Sequence, residues 1–463
     1  MKFTHLDEVL IQKLTEIAGE DNLSSAEAAR NQYAHDQSQY EPHMAEAVVW
    51  ATNAQQVAEV LRFANEHTIP VTAWGAGTSL EGNPMPMHGG ISINFERMSQ
   101  IIEVHADDFQ VTVQPGIGHY DLNDYLARYG LFFAPDPGAN ASIGGMLANN
   151  ASGIRTVKFG AARDNVLRMQ VALADGRLIE VGSRSAKQSS GYDLRHLFIG
   201  SEGTLGLITE ATLKLSPIAE HASAVLAFFP TIAAAIETVV AIRGSGLEPA
   251  ALELIDAPHA KMLSQMDGVD LEPLPTLFME FQSNSKNSLE EGLATTRELC
   301  EEFGATGFHA TTDPTERKQL WHARHSAWEI QVRHHPGQKI FVGDVAVPIS
   351  AIPAMTRFVE EKLAEAKMFG YLLGHAGDGN VHLTTPFEAE TYEAAKAIHA
   401  AVVEKAIELG GTATGEHGVG ITKRAYMQRE HGPALDVMRA IKQALDPKGI
   451  LNPGKIFPVD GSY

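Results

Sequence analysis

Apolar positions in this chain follow two different patterns before and after residue 216 or so. In the first part, Leu6, Val9, Leu10, Leu14 and Ile17 keep the three-to-four spacing of an amphipathic helix. Val57, Val60, Leu61 and Ala64 repeat it in a second helix that Asn53 can cap. A short apolar run, Val71 to Trp74, follows at once and opens into the turn "GAGTS". Helix, strand and glycine turn in that order bring main-chain N–H groups up to a phosphate. Further strand-like runs stand at "GISINF", "QVTVQPG" and "MQVALADGRLIEV". Beyond Ser216 a short strand alternates with a long helix: "ASAVLAFF" then 231–243, "PTLFMEFQ" then 287–304, "FVGDVAVPI" then 352–367, "YLLGHAG" then 390–409. This alternation predicts helices on one face of a mainly antiparallel sheet, an α+β domain. Residues 1–215 are expected as a first domain, 216–420 as a second, and 421–463, with its Pro and Gly turns, as a segment returning to the first.

Three glycine-rich loops, at 75–82, 138–153 and 200–206, lie beside strand-like runs in the first part. One such loop alone reads as a tight turn, because glycine is the default wherever φ is positive. Three together suggest a long groove for an extended nucleotide cofactor.

Charge and cysteine content narrow the classes. With 36 Lys and Arg against 57 Asp and Glu, the formal charge of −21 repels a phosphate backbone, so nucleic acid is not an expected partner. Cys300 is the only cysteine, which excludes an internal disulfide and a cysteine-ligated iron–sulfur cluster within this chain. The start "MKFTHLDEVL" has no signal-peptide pattern, and the longest apolar run, Ala222 to Ile242, is interrupted by Pro230, Thr231 and Glu237. A cytoplasmic protein without a membrane span is the expectation.

The stretch "GHAGDGNVH" carries His375 and His382. With Asp378-Gly379 as a two-residue type I′ turn, Gly377 would pair with Asn380, Ala376 with Val381, and His375 with His382. Directly opposed side chains have Cβ atoms about 4.5–5.5 Å apart, close enough for two imidazoles to converge on one ion. "TATGEHGVG" adds Glu416 and His417, and two histidines with one carboxylate leave positions open for substrate and water. The same pair also reads as hydrogen-bonded filler. Asp313, Pro314 and Glu316 sign a helix start with a capping box, after which Leu320, Arg324 and Trp328 fall on one stripe. Arg324 there needs an anion, either a structural Asp or Glu partner or a substrate carboxylate. The residues allow three function classes: a redox enzyme, a metal-dependent hydrolase and a noncatalytic nucleotide-binding protein.

Taken in order, "GAGTSLEG", "PDPGANASIGGMLANNASG", "GSEGTLGLITE", "GHAGDGNVH", "GEHGVG" and "LNPGKIF" form a specific set running from about Tyr33 to Phe457. The chain resembles the FAD-linked 2-hydroxy acid dehydrogenases of the vanillyl-alcohol oxidase and p-cresol methylhydroxylase superfamily, a group that includes flavin-type D-lactate dehydrogenase and the flavin subunit of glycolate oxidase. The resemblance implies a two-lobed FAD-binding domain and a substrate or cap domain. It implies that Gly75, Ala76, Gly77, Thr78 and Ser79 wrap the FAD pyrophosphate. Pro135, Gly138, Ser142, Gly145, Asn149, Ser152 and Gly153 would line the flavin side, Glu202, Gly203 and Ile208 the adenosine side, and Asn452 would approach the isoalloxazine. The first loop has no histidine for a flavin bond, so noncovalent FAD is implied. The resemblance further implies that His375, His382 and Glu416 hold zinc or manganese, that His417 is the base, and that Arg324 grips the substrate carboxylate. Relatives acting on 2-hydroxyglutarate carry a lysine where this chain has Val342, so a small monocarboxylate, D-lactate ahead of glycolate, is the implied substrate and D-2-hydroxyglutarate an alternative. Electrons would leave to a separate acceptor, a quinone, cytochrome or electron-transfer protein. A homodimer is a further expectation.

Overall fold

Val48, Val49, Val71, Ile91 and Ile93 have no solvent exposure. They come from three strands, Ala47–Trp50, Ile91–Asn94 and Val71–Trp74, of which the middle one pairs in parallel with both neighbours. Parallel strands need a crossover, and the helix Ala54–His67 supplies it between Ala47–Trp50 and Val71–Trp74. Asn53 caps that helix, its Oδ1 accepting from the Gln56 N–H at 2.9 Å. Val9, placed on the apolar stripe of the first helix by its spacing, is instead 60% exposed, because Leu14 and Ala18 carry the buried face.

The computed structural model describes residues 2–266 and 269–458 and divides into two units. Unit 1 is Met1–Ser152, Gly160–Ile218 and Glu416–Tyr463; unit 2 is Gly153–Phe159 and Ala219–Gly415. The return to the first unit therefore begins at Glu416, before the expected 421, and 153–159 belongs with the second.

Unit 1 has two lobes. One is the parallel sheet just described, with Leu23–Ser24 added antiparallel at one end. The other is a five-stranded antiparallel sheet in the order Ile101–His105, Gln110–Val113, Leu207–Lys214, Val166–Ala172, Leu178–Gly182. Each lobe has its own apolar cluster. The C-terminal segment closes the open edge of the parallel sheet: Val71 N–H donates to Ile450 O and Asn452 N–H to Val71 O, both at 2.8 Å. An edge strand with unmet N–H and C=O groups is thereby covered by the chain itself.

Unit 2 is built on a seven-stranded antiparallel sheet, in the order Gly307–Thr311, His221–Phe228, Thr276–Ser283, Ala251–Ile255, Tyr371–Gly374, Asn380–Phe387, Lys339–Ala346. Long helices Ile232–Gly244, Lys286–Glu302, Ile352–Ala366 and Tyr392–Glu408 alternate with these strands. The one-face expectation is corrected. Successive residues of a strand point to opposite faces, yet Ala224 to Phe228 are all buried, so both faces are covered. Ala224, Leu226 and Phe228 pack with Ala260, Leu263, Leu320 and Ala323 from shorter helices. No helix among the described residues is long and apolar enough to cross a membrane.

The loop between Tyr371–Gly374 and Asn380–Phe387 depends on Gly379, which has φ +81° and whose carbonyl accepts from Val347 N–H at 2.9 Å. An added Cβ would lie 1.9 Å from Val347 O. Gly379→Ala is expected to destabilise unit 2 by at least ~1–3 kcal/mol. Denaturant unfolding of the variant checks this, and an unchanged midpoint contradicts it.

Candidate functional site

Small side chains in the glycine loops of unit 1 leave a cleft between its two lobes, with an empty volume, open mouth included, of about 1280 Å³. Gly75, Ala76, Gly77, Thr78, Ser79, Ser142, Gly145, Asn149, Glu202, Gly203, Ile208 and Asn452 line it, together with Glu416 and His417. Among the described residues, no Lys or Arg lines it. An anionic group there would be held by main-chain dipoles. The N–H groups of residues 75–79 fit that role, for none donates a hydrogen bond within the protein among the described residues. The residues thus suit a dinucleotide with a pyrophosphate.

Four of the expected cofactor residues are not among those that line this cleft. Pro135 and Gly138 are absent from the lining, where Pro137 and Ala139 stand instead; in the same stretch Asp136 Oδ1 accepts from Gly138 N–H at 3.2 Å. Ser152 turns toward Glu416, its Oγ donating to Oε2 at 2.8 Å. Gly153 starts the segment that belongs to unit 2.

The side chain of Glu202 faces the C-terminal loop. Its carboxylate accepts from Val419 N–H at 2.6 Å, Gly420 N–H at 2.9 Å and Asn83 Nδ2 at 2.7 Å. Both oxygens are thus engaged by the loop that carries His417. Burial raises the pKa of this carboxyl, and those three hydrogen bonds oppose the rise. Asn452 donates from Nδ2 to Asn83 O at 3.0 Å and Glu202 O at 2.7 Å, and Lys455 donates from Nζ to Met85 O at 2.6 Å. Glu202 and Asn452 both hold left-handed φ, +51° and +41°, conformations that non-glycine residues keep only when surroundings enforce them. His417 O accepts from Asn149 Nδ2 at 3.3 Å, and His417 Nδ1 lies 3.9 Å from Glu81 Oε1.

In unit 2, His375 and His382 meet, with ring centroids 5.4 Å apart and planes at 87°. They do so in a register that differs from the two-residue hairpin. Leu373, not His375, pairs with His382, and Asp378 N–H closes a turn onto His375 O at 3.0 Å. Asp378 lacks the positive φ of a type I′ turn, so the strand ends at Gly374 and a five-residue loop follows. The shift is two residues. Side chains alternate with period two, so His375 stays on the face of His382 as a diagonal neighbour.

Each imidazole turns Nδ1 toward a carboxylate with no solvent exposure. His375 Nδ1 is 2.7 Å from Glu253 Oε1, and His382 Nδ1 is 3.6 Å from Asp344 Oδ1. A proton held on Nδ1 leaves the lone pair on Nε2, the tautomer that binds a cation. Asp344 is itself fixed by Asn380 Nδ2 at 2.6 Å, Thr414 Oγ1 at 2.7 Å and Gly415 N–H at 2.7 Å. Arg324 lies on the helix Pro314–His325, 7% exposed, and donates from Nη2 to Glu253 Oε2 at 2.5 Å. Burial raises the Glu253 pKa, but the facing His375 imidazole and the Arg324 guanidinium, both in hydrogen-bond contact with it, outweigh that and hold it below the usual range. The Nε of Arg324 is buried without a hydrogen-bond partner.

The Arg324 helix starts on Asp313, whose Oδ1 accepts from the Thr315 and Glu316 N–H groups. The capping box is only half formed, since the Glu316 carboxylate binds His309 Nε2 at 2.7 Å. The stripe also breaks: the helix ends at His325, and Trp328, on the next one, is 39% exposed.

Residues 45–182 match the family described as FAD binding domain, and residues 218–456 match FAD linked oxidases, C-terminal domain. The chain is 35% identical to a protein of Arabidopsis thaliana named D-lactate dehydrogenase [cytochrome], mitochondrial, over 99% of this chain and 81% of that one. It is also 35% identical to the glycolate oxidase subunit GlcD of Bacillus subtilis, over 97% of each. The chain belongs to the FAD-linked oxidases. Its fold is that of p-cresol methylhydroxylase, with a TM-score of 0.79 at 16% identity and 98% of each chain covered.

In this FAD-linked oxidase the functional reading of the sequence missed Glu253, Asp344, Asn83 and Lys455. Asp344 stands in the quoted "VGDVAVP" run and Lys455 in "NPGKIF", each a charge among apolar or turn residues, the signal that could have raised them. Burial, opposed by the charge of Glu202, holds Lys455 down to about 7, against about 10.4 for an exposed lysine. Between those values the unfolded chain keeps a proton that the folded one sheds, so stability rises with pH across that window. We expect unit 1 to unfold at a higher temperature at pH 9 than at pH 7, and Lys455→Met to flatten that rise. Thermal scans of both proteins check this, and equal slopes contradict it.

Proposed function

We propose that this protein oxidises a small D-2-hydroxy acid, D-lactate first, to the corresponding 2-oxo acid with noncovalently bound FAD. The observation that supports it most is that His417 and Glu416 line the same cleft as the 75–79 loop and Asn452. An imidazole thus stands on the wall of the cleft that suits the cofactor. When bound, FAD supplies a hydride acceptor, and a divalent zinc or manganese ion supplies a Lewis acid for the 2-hydroxyl oxygen.

His375, His382 and Glu416 would hold the ion, a reading supported by the Glu253 carboxylate, which at 2.7 Å holds a proton on His375 Nδ1 and leaves its Nε2 as a donor. Arg324 binds the substrate carboxylate through the Nε that Glu253 does not use. His417 takes the hydroxyl proton as the C2 hydrogen departs. Asn149 and Glu202 keep His417 in place through its loop.

Val342, half-buried and opposite Thr384, takes the place of the lysine that the resemblance gives to relatives acting on 2-hydroxyglutarate, which favours a monocarboxylate. Glycolate is the second reading, supported by the likeness to the B. subtilis subunit. We further propose a separate electron acceptor, a cytochrome ahead of a quinone or electron-transfer protein, in line with the name of the Arabidopsis relative. That name also makes the mitochondrion a rival to the cytoplasm as the compartment. A homodimer remains part of the proposal.

His417→Ala is expected to keep its bound FAD and to lose ~10²–10⁴-fold in kcat with D-lactate. Steady-state assay at matched flavin content checks this, and near-normal turnover would remove His417 from the mechanism.

A further inference from the structure

Glu253 sits in the middle of the strand Ala251–Ile255, between Thr276–Ser283 and Tyr371–Gly374, with no solvent exposure. An ionised carboxylate in a sheet interior is costly unless compensated. A single ion pair with Arg324 would meet that need and tie the Pro314–His325 helix to the sheet. Two features exceed it. The other oxygen, Oε1, is spent on His375 Nδ1 at 2.7 Å. And Arg324 gives Glu253 only Nη2, leaving Nε buried with no partner, where a purely structural pair would use the two-pronged fork.

We propose that Glu253 is a positioning residue for both ends of the substrate. Its Oε2 engages Nη2 of Arg324 and partly offsets the guanidinium charge, and its Oε1 fixes the proton of His375 on Nδ1, so anion binding and metal binding share one buried charge. The inference rests on the functional reading above, in that Arg324 receives the carboxylate and His375 an ion. The two effects of that charge are opposite in sign. It makes His375 Nε2 a better donor, and it repels an incoming carboxylate from Arg324.

The test is calorimetric titration of the FAD-bound, chelator-stripped protein with Zn²⁺ in one series and oxalate in another. Glu253→Gln is expected to bind zinc ~10–100-fold more weakly, the usual loss when a carboxylate behind a metal-binding histidine is removed. It is expected to bind oxalate on the order of 10-fold more tightly, since one negative charge a few ångströms away is gone. A merely structural role predicts that both affinities fall together or that neither moves, and either result overturns the proposal. Should Glu253→Gln lose its flavin, Glu253→Asp decides. Retaining the charge one methylene back, it must weaken zinc binding while leaving oxalate affinity within about 2-fold; any other pattern overturns the proposal. Wild-type protein that binds neither probe overturns the functional reading and this inference with it, whereas normal wild-type binding with an unchanged variant overturns the inference alone.

Discussion

The carboxylate of Glu202 holds Val419 N–H, Gly420 N–H and the Asn83 amide at once, inside a protein interior that would otherwise expel it. A buried acid with three donors is stable only while all three are in place, so the loop from Glu416 to Gly420 cannot drift without exposing an unmet charge. The same residue, through its own carbonyl, accepts from Asn452, and Lys455 in turn donates to Asn452 Oδ1 at 3.2 Å. One wall of the cleft is therefore a continuous polar network in which the left-handed backbones of Glu202 and Asn452 are enforced by their partners. The backbone of His417 is held by that network and by the Asn149 amide.

Unit 2 answers the same requirement with a different arrangement. Two acids, Glu253 and Asp344, lie in adjoining regions of a sheet whose other side chains are mostly apolar, and each backs one imidazole. Asp344 is saturated by Asn380, Thr414 and Gly415, which makes it a fixed support. Glu253 is shared between an imidazole and a guanidinium, so its charge bears on both.

Local signals in the sequence carried the fold a long way. Asn53 as a cap, the 71–74 strand into a glycine turn, and the alternation of strand and long helix after residue 216 all rest on interactions within a few residues, and the structure holds them. What failed depends on distant partners. Asp378-Gly379 favours a tight turn, but Val347, just past the strand Lys339–Ala346, donates its N–H to the Gly379 carbonyl, and the loop is longer. Glu316 could have completed its capping box, but His309 competes for the carboxylate. Runs such as "AVLAFF" do not say which face of a strand is covered, so packing on both faces of the unit 2 sheet is not readable from them. Glu253 was invisible for the same reason: its partners are 71 and 122 positions away in sequence. The glycine motifs and the two histidines, by contrast, were legible because each motif is short and its spacing survives a two-residue change of register.

The most direct measurement is anaerobic mixing of the FAD-bound protein with D-lactate and, separately, L-lactate, followed through the flavin absorption band. The account predicts that D-lactate bleaches the band with formation of stoichiometric pyruvate while L-lactate leaves it intact. A band that neither enantiomer bleaches, in protein that retains its flavin, would contradict it.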